Sequence, residues 1–188
     1  MPRRGLTRTR IVAEAGQLAD EVGLDGVSFA ALAKRLDVSA PALYKHIDGF
    51  DQLRRDLTVL GLNELSMRVR DATVGKSGRD ALFAAAQTYR RYARDRPGLV
   101  AVVLRAPSPG DHEHEAAAEA ALDVLHHVLT VYELSDDDTV HAIRALRVIM
   151  QGFISLESAG GFGMSQSLDE TYSRIINALH QDLARQSR

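Results

Sequence analysis

Apolar residues recur at helical spacing along almost the whole chain. Ile11, Ala15, Leu18 and Val22 fall at i, i+4, i+7 and i+11, which lines one face of a helix. Gly23 follows as a stop. Ser28 is a good N-cap, and Phe29, Leu32, Ala33 and Leu36 form a second stripe behind it. Ser39 opens a third, short helix that reaches His46, with Pro41 in its first turn, where a missing N–H costs little. A fourth helix is expected from about Asp51 past Leu65, with Leu53, Leu57 and Leu60 on its inner side.

The segment from Val74 to Gly78 interrupts the pattern as a linker. A helix carrying Tyr89 and Tyr92 follows to about Asp95, and Pro97 suits the first turn of another short helix that stops before Pro107. An alanine-rich helix is predicted from about Glu113 to Val131. Ser135 and three aspartates open the next long helix, their carboxylates near its positive end. That helix carries Val140, Ile143, Leu146, Ile149, Met150, Phe153, Ile154 and Leu156, which spread over more than one face and predict cover on two sides. The last stripe is Leu168, Tyr172, Ile175, Ile176, Leu179 and Leu183. The pattern holds no strand and no repeat. It predicts an all-α chain, with an N-terminal three-helix domain over residues 1–50 and a C-terminal helical domain over residues 51–188.

Composition narrows the function classes. The chain has no cysteine, which excludes disulfides and thiolate metal sites. No apolar run approaches the roughly 20 residues of a membrane span, and a cytoplasmic location is expected. The net charge of −2 hides an asymmetry. Residues 1–55 hold nine Lys/Arg against seven Asp/Glu, and residues 56–188 hold fourteen against eighteen. Arg3, Arg4, Arg8 and Arg10 form a basic arm without an acid, which suits a polyanion.

Two helices joined by a tight turn, Ser28–Leu36 and Ser39–His46, match a helix-turn-helix, whose second helix enters the major groove of DNA. The shortness of that helix then has a reason, because only the groove-facing turn is presented. Val38, Leu43 and Ile47 should turn inward, leaving Ala40, Pro41, Ala42, Tyr44, Lys45 and His46 for the DNA. Small residues at 40 and 42 allow close approach, and the polar tips of Tyr44, Lys45 and His46 suit phosphates or base edges. The expected DNA-binding set is completed by Arg3, Arg4, Arg8, Ser28 and Ser39.

A metal-binding helical enzyme is the competing class. The cluster His112-Glu-His114-Glu115, with His126, His127 and His141, invites a metal, but it lies in a loop and at a helix start and has no HExxH spacing. The GKSG at 75–78 lacks the first glycine and the spacing of a P-loop. No catalytic residue, metal or cofactor is assigned.

The stretch RIVAEAGQLADEVGLDGVSFAALAKRLDVSAPALYKHI, with the DQL that follows, resembles the DNA-binding domain of the TetR (tetracycline-repressor) family. The matching pieces are Gly23 and Gly26 after the first helix, Ser28 at the second, Val38-Ser39, and Leu43-Tyr44-Lys45-His46. Two positions depart from the family pattern. Ile47 stands where Phe is frequent, and Phe50 stands where a phosphate-binding Lys is common, with Arg54 and Arg55 as substitutes. RALRVIMQGFISLESAGGFG resembles the penultimate helix of one branch more loosely, with Gln151 where a His often precedes the glycine.

The resemblance implies a ligand-binding and dimerisation domain after the helix-turn-helix, and a repressor that binds a palindromic DNA operator as a homodimer. It implies dimerisation through the last two long helices, with Ile143, Arg147, Ile154, Tyr172, Ile176 and Leu179 as the expected residues. Tyr89, Tyr92, Leu104, Met150, Gln151, Phe153 and Phe162 lie on segments expected to converge and are the candidate ligand residues. Few charges fall in the apolar stripes, so an uncharged or weakly polar effector is expected. A DNA-binding dimer without an effector is the alternative.

Overall fold

The structure is a computed structural model and describes residues 5–186. Among the described residues it is all-α, as the periodicity predicts. The helices are α1 (Arg8–Val22), α2 (Phe29–Leu36), α3 (Ala40–Leu43), α4 (Gly49–Thr73) and α5 (Gly78–Asp95). They continue as α6 (Pro97–Val100), α7 (His112–Leu129), α8 (Asp136–Ser158) and α9 (Leu168–Gln186). Short 3-10 turns follow α1 and α7, at Leu24–Gly26 and Thr130–Tyr132.

The boundaries follow local chemistry. Thr7 Oγ1 accepts from Arg10 N at 3.2 Å, Ser28 Oγ from Ala31 N at 3.2 Å and Ser135 Oγ from Asp138 N at 3.2 Å, so each caps its helix. Gly23 ends α1 at φ 77°, a conformation in which glycine pays no steric cost. Asp37 ends α2 in the left-handed region, and its N–H meets the carbonyls of Ala33 and Lys34.

Three details differ from the sequence pattern. The body of α3 stops at Leu43, because the N–H groups of His46 and Ile47 both converge on the Leu43 carbonyl and Tyr44–His46 form a turn. Ser39 occupies the N-cap position of α3 without a side-chain cap bond. Val22 is 54% exposed rather than core. It lies over Gly26, where an added Cβ would stand 2.7 Å from Val22 Cγ2, and a glycine offers too little side chain to bury it.

The chain divides into two compact units, the first built from residues 1–64 with 92–118 and the second from 65–91 with 119–188. In the first, Ile11, Leu32, Leu43, Ile47, Leu53, Leu57 and Leu99 are fully buried. Helix α6 sits against α1 at a glycine. A Cβ on Gly98 would lie 2.3 Å from the Ala19 carbonyl carbon. Asp20 joins the same contact, accepting from Gly98 N at 2.9 Å and from Arg96 Nε at 2.6 Å, while Arg96 Nη1 also reaches Glu64 at 2.6 Å.

In the second unit the core holds Leu82, Leu129, Leu146, Tyr172 and Ile176. Arg90 on α5 is almost wholly buried and ties three helices together. Its Nε donates to Glu157 of α8 at 2.9 Å and its Nη1 to Asp169 of α9 at 2.7 Å. Its guanidinium carbon lies 5.1 Å from the ring centroids of both Phe153 and Tyr172. The Tyr172 hydroxyl donates to the Ala86 carbonyl at 2.9 Å. Burial pushes the Tyr172 phenol well above its ordinary pKa.

Candidate functional site

The helix-turn-helix presents its second helix from a fixed base. Leu43 and Ile47 are fully buried and anchor the segment from below. Pro41 and Lys45 are exposed, Ala40, Ala42 and His46 are half-buried, and Tyr44 is 59% exposed. Tyr44 does not hang free. Its ring stacks on Phe29, the first residue of α2, with centroids 4.7 Å apart and planes within 9°. Such a pair is worth about 0.5–1.5 kcal/mol beyond area burial. It fixes the direction of the phenol while leaving its edge in solvent. Ser28 is exposed but spends its hydroxyl on the α2 cap, whereas the exposed Ser39 hydroxyl makes no cap bond.

The basic residues near this surface sort by whether acids hold them. Arg8 was expected in a DNA-binding arm. Its Nε donates to Asp56 at 2.7 Å, its Nη2 also reaches Asp56, and the second carboxylate near it is Glu113 at 3.3 Å. The Asp56 hydrogen bond raises the Arg8 pKa further. Arg55 is held by Asp111 at 2.6 Å, Glu113 at 3.0 Å and Asp56 at 3.1 Å. In return, the Arg55 guanidinium lowers Asp111 to about 2. Arg35 is spread over Glu14 at 3.0 Å, Glu21 at 2.7 Å and Gln17 at 3.1 Å, which braces α2 on α1. Lys34 and Lys45 are exposed. Arg3 and Arg4 lie outside the described residues.

Two family models match the chain. One, for bacterial regulatory proteins of the tetR family, covers residues 11–53, and the other, for the tetracyclin repressor-like C-terminal domain, covers residues 82–179. The chain belongs to the TetR family of transcriptional regulators.

The uncharacterised HTH-type transcriptional regulator YobS of Bacillus subtilis is 32% identical over 180 residues, covering 93% of this chain and 91% of that protein. The fold resembles a protein of unknown function from Rhodococcus sp. RHA1, with a TM-score of 0.81 at 22% identity, covering 98% of this chain and 99% of that one. It also resembles a TetR variant of Acinetobacter baumannii solved in complex with minocycline, with a TM-score of 0.72 at 23% identity, covering 98% of this chain and 99% of that one.

Within this TetR-family chain the candidate ligand residues do not all fall in one unit. Tyr89, Met150, Gln151, Phe153 and Phe162 belong to the second unit. There the Tyr89 hydroxyl donates to Gln151 Oε1 at 2.8 Å, Gln151 Nε2 donates to Ser155 at 3.1 Å, and Phe153 and Phe162 have centroids 5.0 Å apart. Burial pushes the Tyr89 phenol up to about 12. Tyr92 and Leu104 belong to the first unit. Tyr92 is fully buried and donates to the Gly61 carbonyl at 3.2 Å, and Leu104 is exposed.

The residues expected at a dimer interface also divide. Ile143, Ile154, Tyr172 and Ile176 are covered by their own chain, Leu179 is half-buried and Arg147 is exposed. Exposed apolar surface on α8 comes instead from Val148 at 71%, Leu156 at 50% and Val140 at 40%. Among the described residues no three His, Cys, Asp or Glu side chains are placed to share a metal ion. His114 is buried and His112 is exposed beside Glu115 at 3.1 Å. No helix among the described residues is long and apolar enough to cross a membrane.

Sequence reasoning missed Phe29 as the support of Tyr44. Its place in an amphipathic stripe marked it as core, and fourteen intervening positions hid its partner Tyr44.

Proposed function

We propose that this TetR-family regulator is a repressor that binds a near-palindromic operator as a homodimer and releases it when a small, uncharged or weakly polar molecule binds its C-terminal helices. The observation that carries the DNA reading is the Tyr44 ring stacked on Phe29, which aims a polar aromatic edge outward from a short helix with small residues at its start. Ser39, Pro41, Lys45 and His46 complete the surface, with Ala40 and Ala42 at the point of closest approach, and Arg3 and Arg4 on the preceding arm.

The dimer reading draws support from α8. Val148 and Gly152 lie on its exposed side, and a Cβ on Gly152 would meet nothing within 4 Å. Glycine in a helix interior costs about 1 kcal/mol relative to alanine. Among the described residues nothing supplies a steric reason for glycine there, whereas a second copy approaching closely would. The effector reading draws support from the Tyr89–Gln151 pair beside the Phe153–Phe162 contact, an apolar setting with one polar pair. The Acinetobacter relative in complex with minocycline supports a small-molecule effector for the same fold.

Selection of bound fragments from random duplex DNA tests the reading. The expected product is an inverted repeat with half-site centres about 34–36 Å apart or a multiple of that. Enrichment of single half-sites, or of nothing, overturns it. A compound screen on the selected operator should find a ligand that weakens binding about 5–150-fold. A binding constant unmoved across the screen would favour an effector-independent DNA-binding dimer instead.

A further inference from the structure

We propose that Phe162 is a plug the chain supplies to itself. Its ring fills a site on Phe153 that a flat, uncharged aromatic molecule takes in its place. The proposal rests on the effector reading above, whose ligand class it narrows.

The segment between α8 and α9 turns a single residue inward. Of the ten residues from Ser158 to Ser167, nine are exposed and Phe162 alone is half-buried. Its ring lies against Phe153 of α8, with centroids 5.0 Å apart and planes at 38°. Phe153 in turn packs on Tyr172 at 4.7 Å and lies 5.1 Å from the Arg90 guanidinium carbon.

Little besides this ring fastens the middle of the segment. Gly160 and Gly161 end α8, with the Gly161 N–H donating to the Leu156 carbonyl at 2.7 Å. Beyond them, residues 162–166 make no hydrogen bond among the described residues. A Cβ on Gly163 would meet nothing within 4 Å, so that glycine is not there to admit a close neighbour. What it supplies is backbone freedom beside the ring. The two ends are fixed instead. Arg90 donates to Glu157 near the end of α8 at 2.9 Å and to Asp169 in the first turn of α9 at 2.7 Å. The strap is anchored at both ends and held between them by the Phe162 ring.

The chemistry of the site selects its occupant. It already fits an aromatic ring, and such rings pair at centroid distances of about 4.5–7 Å. Arg90, Glu157 and Asp169 bring one positive and two negative charges, a net of −1. An aromatic carboxylate is therefore repelled, and an uncharged arene is not. A ligand ring seated on Phe153 frees the strap, while Arg90 keeps the ends of α8 and α9 in place.

Indole is the probe, being flat, aromatic and uncharged. The chain has no tryptophan, so indole fluorescence is read without interference. A site open for about 0.1–10% of the time shows an affinity reduced by that fraction. Phe162→Ala removes the competitor and should bind indole about 10–1,000-fold more tightly than the wild type. Phe162→Tyr keeps a ring and should bind as the wild type does. Phe153→Leu added to Phe162→Ala should abolish the gain, because leucine keeps the bulk and loses the flat face. Indole carboxylate should bind more weakly than indole. In the wild-type protein, saturating indole should speed chymotrypsin cleavage after Phe162, located by mass spectrometry.

An indole affinity of Phe162→Ala no tighter than that of the wild type, in a variant with a normal melt, overturns the proposal. So does a cleavage rate at Phe162 that indole leaves unchanged, or a carboxylate that binds as well as indole. These measurements involve no DNA. A tightened Phe162→Ala protein whose DNA binding no arene moves would refute the effector reading alone, an outcome separate from these.

Discussion

Replacing Gly98 with alanine tests whether α6 is held against α1 by close approach. Gly→Ala inside a helix normally stabilises a protein, by about 0.4–1 kcal/mol, where the new methyl group fits. Here it does not fit. The added Cβ would stand 2.3 Å from the Ala19 carbonyl carbon, 2.5 Å from its oxygen and 2.6 Å from its Cβ. Two of the three atoms are backbone and cannot rotate away. Restoring an ordinary contact of 3.4 Å from 2.3 Å requires about 1.1 Å of displacement. A shift of that size stretches the 2.9 Å bond from Gly98 N to Asp20, and it disturbs the 2.6 Å Arg96–Asp20 pair beside it. Overpacking costs about 1–3 kcal/mol, and weakening a bond to a charged acceptor adds to that. After the propensity gain of alanine, a net loss of about 2–4 kcal/mol remains.

For a chain of this size each kcal/mol moves the melting temperature by about 2–4 °C, so a drop of roughly 4–16 °C is expected in a far-UV circular-dichroism melt. The sign is decisive, since helix propensity alone predicts a rise. Ala19→Gly added to Gly98→Ala should recover less than half of the loss, because it removes only the 2.6 Å contact and leaves both backbone clashes. A melting temperature at or above the wild-type value would refute the close-approach argument.

Arg90→Met should destabilise the second unit by about 3–5 kcal/mol, because it withdraws the cation facing Glu157 from a nearly dry position; urea denaturation measures this, and a loss under 1 kcal/mol contradicts it. Asp111 supplies a pH dependence. Its folded pKa of about 2 lies below the ordinary 3.8, so its stabilisation is complete above 3.8 and fades as the pH falls toward 2. Asp111→Asn should therefore lower stability near neutrality and flatten its slope across that acid window, read from melts at stepped pH. Val148→Glu puts a charge on the exposed side of α8 and should shift a dimer toward monomer in sedimentation velocity, with secondary structure unchanged; an unmoved sedimentation coefficient places the interface elsewhere.

Features set by neighbours in sequence were legible, and features set by distant contacts were not. Ser28 and Ser135 announced two helix starts because a cap needs only its own next turn. Gly23 announced a stop for the same local reason. The end of α3 was overestimated because Tyr44, Lys45 and His46 carry no breaking residue, and the chain turns there to seat Ile47 in the core. Arg55 and Asp111 stand 56 residues apart, and nothing in the run Asp111-His-Glu-His-Glu115 identifies which acid an arginine on another helix selects. The cluster read as a possible metal site commits one of its acids, Glu113, to Arg55, which Asp111 just before the cluster also holds.

The same limit governs the interface. Helical period showed that α8 has too many apolar positions for one face, yet it could not assign Ile143 to the core and Leu156 to the surface. Both belong to an amphipathic pattern, and only the position of the neighbouring helices separates them. For Arg54 and Arg55, which are adjacent in sequence, the neighbours are an aromatic ring in one case and three acids in the other. Identical side chains thus acquire different surroundings. One is paired with carboxylates and braces the fold, and the other lies on a ring.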